Sequence, residues 1–99
     1  MKTIQNLFDT VTINGEERTL TVGDLLKECV NVIPKDGLNV EDIAARLKIV
    51  NVINQAKANN ETSLIFEDAD FKTAASCVKQ MRWAIVHKFI IDFCNLFTE

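Results

Sequence analysis

Four cations surround the single tryptophan of this sequence, and they are the residues best suited to binding chemistry. Trp83 is flanked by Lys72, Lys79, Arg82 and Lys88. Ammonium and guanidinium groups attract anions, and an indole ring offers a face on which a nucleotide base can stack. The four cations do not share one helical face, so a solvated charged surface is the simpler interpretation. A nucleotide-like anion would need an oligomer that gathers these charges into one groove.

Acidic residues cluster where the last helix is predicted to begin. Glu67, Asp68 and Asp70 supply three carboxylates, which can bind a divalent cation or act as an acid–base pair. Acids at a helix N-terminus are also favoured by capping and by the helix dipole. No glycine-containing calcium loop surrounds them. We therefore assign these carboxylates to capping and expect no metal site.

The nucleophilic residues lack the spacing that catalysis or zinc binding requires. His87 is the only histidine, and the cysteines at 29, 77 and 94 form no Cys-x-x-Cys pattern. Cys94 is about two helical turns from His87, which is too far for a thiol–imidazole pair on one helix. We expect reduced, mostly buried thiols and no cofactor.

Chain length and charge bound the class of protein. Ninety-nine residues predict a single domain, 1–99. A net charge of −3 does not fit a dedicated nucleic-acid binder, whose affinity rests on many cations. The longest apolar stretch, 83–97, is interrupted by His87, Lys88 and Asp92, so we expect no membrane span. With neither a secretory signal nor a phosphate-binding glycine loop, the sequence predicts a cytoplasmic protein that is not an enzyme.

The first regular element is predicted to be a β-hairpin. Residues 10–13 and 19–22 alternate threonine with apolar side chains around Asn14-Gly15-Glu16-Glu17. A two-residue turn would place Glu16 on the apolar face, whereas a four-residue loop pairs Val11 with Leu20. We therefore predict the longer loop. The preceding residues, 1–8, are expected to form a loosely ordered arm.

Two helices and a third strand are predicted next. A capping box of Thr21 and Asp24 opens the first helix, which Pro34 ends, and Asn39 caps the second. Residues 62–66 are predicted to form a third strand beside the hairpin, with Leu64 and Phe66 facing one way and Ile65 the other. One broad face of the second helix is predicted to be its core side, and it carries Val40, Ile43, Ala44, Leu47, Val50 and Ile53, while Glu41, Lys48 and Gln55 lie on another.

The segment from Asp68 to Phe97 contains no glycine or proline and is predicted to be one long helix. Its length would be about 45 Å, which exceeds the size of a compact chain of this length. The polar side chains of this predicted helix lie on one side in its first half and on a different side in its second half. The second half carries an apolar seam at the spacing that helix pairs use, formed by Trp83, Val86, Ile90, Phe93 and Phe97. A second apolar strip carries Ile85, Phe89 and Leu96. Either this chain covers the seam, or a second copy or another partner does.

The order of these segments resembles that of short accessory proteins encoded by tailed phages and prophages. The resemblance spans residues 20–93 and rests on Gly23-Asp24-Leu25-Leu26, Arg46-Leu47-Lys48-Ile49, Leu64-Ile65-Phe66-Glu67-Asp68 and the terminal helix. It implies no particular activity or catalytic residue.

The sequence as a whole predicts an α+β domain in the order β-β-α-α-β-α, with a hairpin and a short third strand packed on three helices. We expect a non-enzymatic, phage-type interaction protein that forms homo-oligomers through its C-terminal helix, with a phage or host protein as a further partner. The alternative is a ligand-sequestering or host-inhibiting protein that binds a nucleotide-like anion in oligomer grooves.

Overall fold

Short antiparallel strands stand apart from the helices along the folded chain, which confirms the α+β class. The computed structural model describes residues 1–83 and 86–98, and Ile13 by its backbone alone. In these residues the elements are β1 (Lys2–Gln5), β2 (Phe8–Ile13), β3 (Glu16–Thr21), α1 (Val22–Asn31), α2 (Val40–Ala58), β4 (Ser63–Phe66), α3 (Asp68–Gln80) and α4 (Lys88–Leu96). The observed order differs from the predicted one by an additional first strand and by the division of the last helix.

Strand β1 pairs with β4 in a sheet that is separate from the β2–β3 hairpin. The pairing is antiparallel and sets Ile4 opposite Leu64. The predicted alternation of β4 is confirmed, because Leu64 and Phe66 are buried while Ile65 is exposed. The predicted partner is wrong. Pairing with β1 adds Ile4 to the core, so the arm that the sequence predicts to be loose is an ordered strand.

The β2–β3 hairpin turns at Asn14 and Gly15, whose φ angles are 52° and 82°. Val11 lies opposite Arg18, so the predicted four-residue loop, which pairs Val11 with Leu20, is wrong. Successive positive φ angles are typical of a type I′ turn, whose twist matches that of the strands. The hairpin is largely exposed, and Val11 is its one buried side chain among those described. The geometry of the two-residue turn therefore sets the register of this hairpin, and the matching of apolar side chains across the strands does not.

The predicted caps of α1 and α2 are confirmed. The Asp24 N–H donates to Thr21 Oγ1 at 3.0 Å, and the Thr21 N–H donates to Asp24 Oδ2 at 3.3 Å. At the start of α2 the Asp42 N–H donates to Asn39 Oδ1 at 2.8 Å. Both caps satisfy main-chain donors that the first turn of a helix leaves free.

Helix α2 buries only a small part of the predicted face. Its buried side chains are Ile49, Ile53 and Ala56, of which Ile53 alone belongs to that face, and Val50 is half-buried. Most of the predicted core face is exposed, including Val40, Ile43 and Leu47. The helix is apolar on both sides, so periodicity cannot choose between them. Contacts with α1, α3 and β4 decide the matter, and they cover only the side that carries Ile49.

The prediction of one long helix from Asp68 to Phe97 is wrong. Helix α3 ends at Gln80, α4 begins at Lys88, and the described residues between them are not helical. Phe97 stacks on Phe71 with 5.7 Å between ring centroids. Since Phe71 is in the first turn of α3 and Phe97 follows α4, the second helix folds back along the first. The break between α3 and α4 explains why the polar side chains change sides between the two halves. It lets the apolar faces of both helices pack into one core. Ile85, which the sequence assigns to a second apolar strip, lies outside the described residues.

Candidate functional site

Helix α2 exposes an apolar stripe on the side that faces away from the core. Val40 is 81% exposed, Ile43 50% and Leu47 54%, and Ala44 is exposed as well. We name these four side chains the α2 stripe. At about 100° per residue, the stripe lies about 180° around the helix from the buried Ile49. A helix that is apolar on opposite sides is typical of one with packed neighbours on both.

Charged residues border one edge of the α2 stripe. Glu41 and Lys48 are both exposed and lie on the same edge, about 90 to 110° around the helix from the centre of the stripe. About two helical turns, or roughly 10 Å, separate them along the axis. Intrahelical pairs form between residues three or four apart, so this spacing leaves Glu41 and Lys48 unpaired with each other.

An apolar loop is held beside helix α2. Arg46 Nη1 donates to the main-chain oxygens of Val30 at 3.1 Å and Val32 at 2.7 Å. These bonds satisfy carbonyls at the end of α1 and hold the loop beside α2. Val32 is 44% exposed and Ile33 70%. The loop that Arg46 holds therefore exposes apolar side chains of its own.

The residues predicted to form a C-terminal interface lie mostly in the core of the single chain. Ile90, Phe93 and Phe97 are buried. Trp83 is half-buried and meets Phe93 edge-on, with 5.8 Å between ring centroids. Val86 is exposed. The chain itself covers most of this seam, because α4 folds back onto α3, and the three buried residues are inaccessible to a partner while α4 stays docked.

A groove of about 770 Å³ lies between α3 and α4, and we name it the α3–α4 groove. Its α3 wall carries Lys72, Ser76 and Lys79 over the apolar Ala75 and Val78. The remaining lining residues are Met81, Trp83, Cys94, Phe97 and Thr98. The arrangement combines an aromatic and aliphatic floor with ammonium and hydroxyl groups.

Only half of the predicted cation set meets in this groove. Lys72 and Lys79 line it together with Trp83. Arg82 and Lys88 are exposed and lie outside its lining. A single chain therefore places two of the four cations beside an aromatic ring. No second copy is needed for that arrangement.

The acidic cluster before α3 does not cap the helix through its side chains. Glu67 is at the N-cap position and its side chain makes no capping bond. Asp68 Oδ1 lies 3.1 Å from the N-terminal ammonium of Met1. That ammonium donates a hydrogen bond and, by its charge, lowers the pKa of the Asp68 carboxyl. Asp68 and Asp70 remain in the first turn, where the helix dipole favours acids.

The surroundings of the three cysteines raise the pKa of each thiol. Burial, with smaller contributions from the neighbouring Cys94, Cys77 and Glu28, raises the pKa of Cys29 to about 12. Burial likewise raises the pKa of Cys77 and of Cys94. The expected burial is confirmed for Cys29 and Cys77, while Cys94 is half-buried. Raised pKa values disfavour the nucleophilic thiolate.

His87 has a structural contact at the start of α4. The Phe89 N–H donates to His87 Nδ1 at 3.0 Å, so the imidazole caps the helix. Within residues 1–83 and 86–98, no group of three or more His, Cys, Asp or Glu side chains is placed to hold a metal ion.

Sequence reasoning missed the α2 stripe as a surface. The signal was present, because Val40, Ala44 and Leu47 follow the four-then-three spacing of a helix–helix seam. Comparison with family models, curated proteins and solved structures finds no match to this chain.

Proposed function

We propose that this chain is a non-enzymatic interaction protein that self-associates through the α2 stripe. The observation that carries the proposal is the exposure of Val40, Ile43, Ala44 and Leu47 opposite the buried side of α2. Contiguous apolar surface of this kind is typical of protein–protein contact sites. The sequence predicts self-association through the C-terminal seam, but most of that seam is buried in the core of the single chain. We therefore propose the α2 stripe as the contact surface instead.

The partner that suits this surface is a second copy in the antiparallel orientation. A two-fold axis near residues 43 and 44 sets Val40 of one copy opposite Leu47 of the other. The same edges of the two helices then adjoin, and Glu41 comes within about 3 Å, along the axis, of the level of the other copy's Lys48. Both copies form this pair, as two-fold symmetry requires. A parallel dimer would set Glu41 beside Ile43 instead, so charge favours the antiparallel form.

The expected dimer is weak. Full burial of a valine, isoleucine or leucine side chain contributes about 1.5 to 3 kcal/mol, and these side chains are already partly covered. Exposed ion pairs add about 0.2 to 1 kcal/mol each. Association opposes this gain with about 4 to 15 kcal/mol of lost freedom. We therefore expect a dissociation constant of roughly micromolar order.

Sedimentation over a range of protein concentrations tests the proposal. The wild type should change from monomer to dimer as its concentration rises through the micromolar range. Leu47→Glu should weaken the dimer at least tenfold, because it buries a charge in the stripe. Ile91→Glu is the matched control, since Ile91 is also exposed but lies on α4. A strictly monomeric wild type, or equal weakening by both variants, would refute self-association through α2.

Charge reversal tests the orientation. Glu41→Lys and Lys48→Glu should each weaken the dimer, because each sets like charges together, and the double variant should restore it. Circular dichroism checks that Glu41→Lys, which removes an acid from the first turn of α2, leaves the helix formed. Failure of the double variant to recover would exclude the antiparallel pairing while leaving the stripe itself in place.

The proposal extends to where the protein acts and to a further partner. Within the described residues, no helix is long and apolar enough to cross a membrane. The resemblance of residues 20–93 to phage accessory proteins supports a role in the cytoplasm of an infected host, where a phage or host protein could use the same stripe. Mass measurement of the complex formed with host extract, compared between wild type and Leu47→Glu, tests that extension.

A further inference from the structure

We propose that the α3–α4 groove binds a small anion that carries an aromatic ring, the chemistry of a free mononucleotide. The proposal is independent of self-association, because no residue of α2 lines the groove. It also differs from the sequence expectation, in which an oligomer would be needed to assemble the site.

The size of the groove fits a ligand of this class. Its volume of about 770 Å³ lies within the roughly 300 to 1,000 Å³ of typical small-molecule sites. Such sites are mostly apolar and use a few polar groups to orient the ligand. Here the apolar part is supplied by Val78, Met81, Trp83 and Phe97.

The polar groups lie in a row along α3. Lys72, Ser76 and Lys79 follow the four-then-three spacing that places side chains on one helical face. The two lysines are about 10 Å apart along the axis. Lys79 is closer in sequence to Trp83, while Lys72 is near the Phe71–Phe97 stack at the other end. A ring held against the apolar side chains between Trp83 and Phe97 would thus place an attached phosphate near Ser76, between the two lysines and within reach of both.

Charge further defines the ligand. The chain carries a net charge of −3, yet within residues 1–83 and 86–98 no carboxylate lines this groove. Two ammonium groups on an apolar floor complement one phosphate group on an aromatic nucleoside. A long nucleic acid requires many more cations for its phosphates, so the surface favours a free nucleotide over a polymer.

The half-buried Trp83 provides a direct readout. It is the only tryptophan and the chain has no tyrosine, so intrinsic emission reports on the groove. We expect adenosine monophosphate to quench this emission saturably, with excitation where adenine does not absorb. Adenosine and inorganic phosphate should each bind at least tenfold more weakly, because each lacks half of the recognised chemistry. The affinity for the monophosphate should fall as salt rises.

Lysine variants separate a specific site from general attraction. Lys72→Ala and Lys79→Ala should each weaken binding by about tenfold, the loss expected when a charge-assisted hydrogen bond is removed. Lys35→Ala is the control, since Lys35 is exposed in the turn before α2. All three positions are at the surface, and thermal melting checks that each variant folds.

Alkylation of Cys94 gives a second measurement. Because this half-buried thiol lines the groove, bound ligand should slow its reaction with iodoacetamide but leave the reaction of Cys77 unchanged. The proposal is overturned if no quenching occurs up to millimolar ligand, if Lys35→Ala matches the groove variants, or if only oligonucleotides bind.

Discussion

The α2 stripe and the segment from Trp83 to Phe97 carry the same apolar spacing, yet the first is exposed and the second is mostly buried. Ile90, Phe93 and Phe97 are buried by their own chain, whereas Val40, Ile43 and Leu47 are exposed. The difference comes from connectivity. Residues 81–87 let α4 fold back along α3, while α1, α3 and β4 already occupy the opposite side of α2. Spacing therefore specifies that a helix face suits a packed neighbour, and the chain path decides whether that neighbour is internal.

The largest expected difference between the two regions is in stability. Phe93→Ala should lower the free energy of unfolding by about 3 to 5 kcal/mol, because Phe93 is fully buried and its removal leaves a cavity. Leu47→Ala should change it by less than about 1 kcal/mol in dilute protein, since Leu47 is already half exposed. Urea denaturation of monomeric protein measures both. Similar losses in the two variants would contradict the assignment of one region to the core and the other to the surface.

Alkaline pH should lower the free energy of unfolding through a buried thiol of the core, and the α2 stripe should not contribute to this loss. The pKa of Cys29 is raised to about 12 in the folded chain, while an unfolded thiol titrates near ~8.5. Above pH ~8.5 the unfolded state therefore loses a proton that the folded state keeps, so stability is complete below that pH and declines as pH rises toward about 12. The decline approaches about 1.4 kcal/mol per pH unit.

The variant Cys29→Ala isolates the thiol, and stability measured from pH 8 to 10.5 should then vary less with pH than in the wild type. The α2 stripe contains no ionisable side chain, so Leu47→Ala should keep the wild-type pH dependence. An identical slope in wild type and Cys29→Ala would show that another group governs the alkaline loss.

The smallest expected effect comes from removing one methylene in each region. Ile90→Val should destabilise the chain by about 0.5 to 1.5 kcal/mol, since Ile90 is buried beside Phe93. Ile43→Val should leave the stability of the monomer unchanged within error and should weaken the dimer slightly. Chemical denaturation and sedimentation of the same samples distinguish the two. A destabilised Ile43→Val monomer would mean that this edge of α2 is packed within the chain.

Local signals predicted the local structure well. The capping residues Thr21 and Asn39 and the alternation of side chains in β4 follow from side-chain chemistry within a few residues, and all are observed. The hairpin was located correctly, but its register depends on Asn14 and Gly15 adopting positive φ, which apolar alternation does not reveal.

Long-range features could not be read in the same way. The pairing of β1 with β4 joins strands that are about sixty residues apart, so no local sequence pattern predicts it. The break at 81–87 contains neither glycine nor proline within its described residues and arises because both halves share one core. For the candidate groove, Lys72, Lys79 and Trp83 were recognised as a set, but their meeting depends on α4 folding back.

The bonds from Arg46 to Val30 and Val32 give the exposed surface a kinetic property. They fasten the loop that carries Ile33 to the same helix that carries the α2 stripe, so both apolar patches belong to one rigid piece. A partner would find its contact surface already ordered and would lose little conformational entropy from this loop on docking. Encounter should then be limited by orientation rather than by rearrangement, which places the expected association rate at about 10⁵ to 10⁷ M⁻¹s⁻¹.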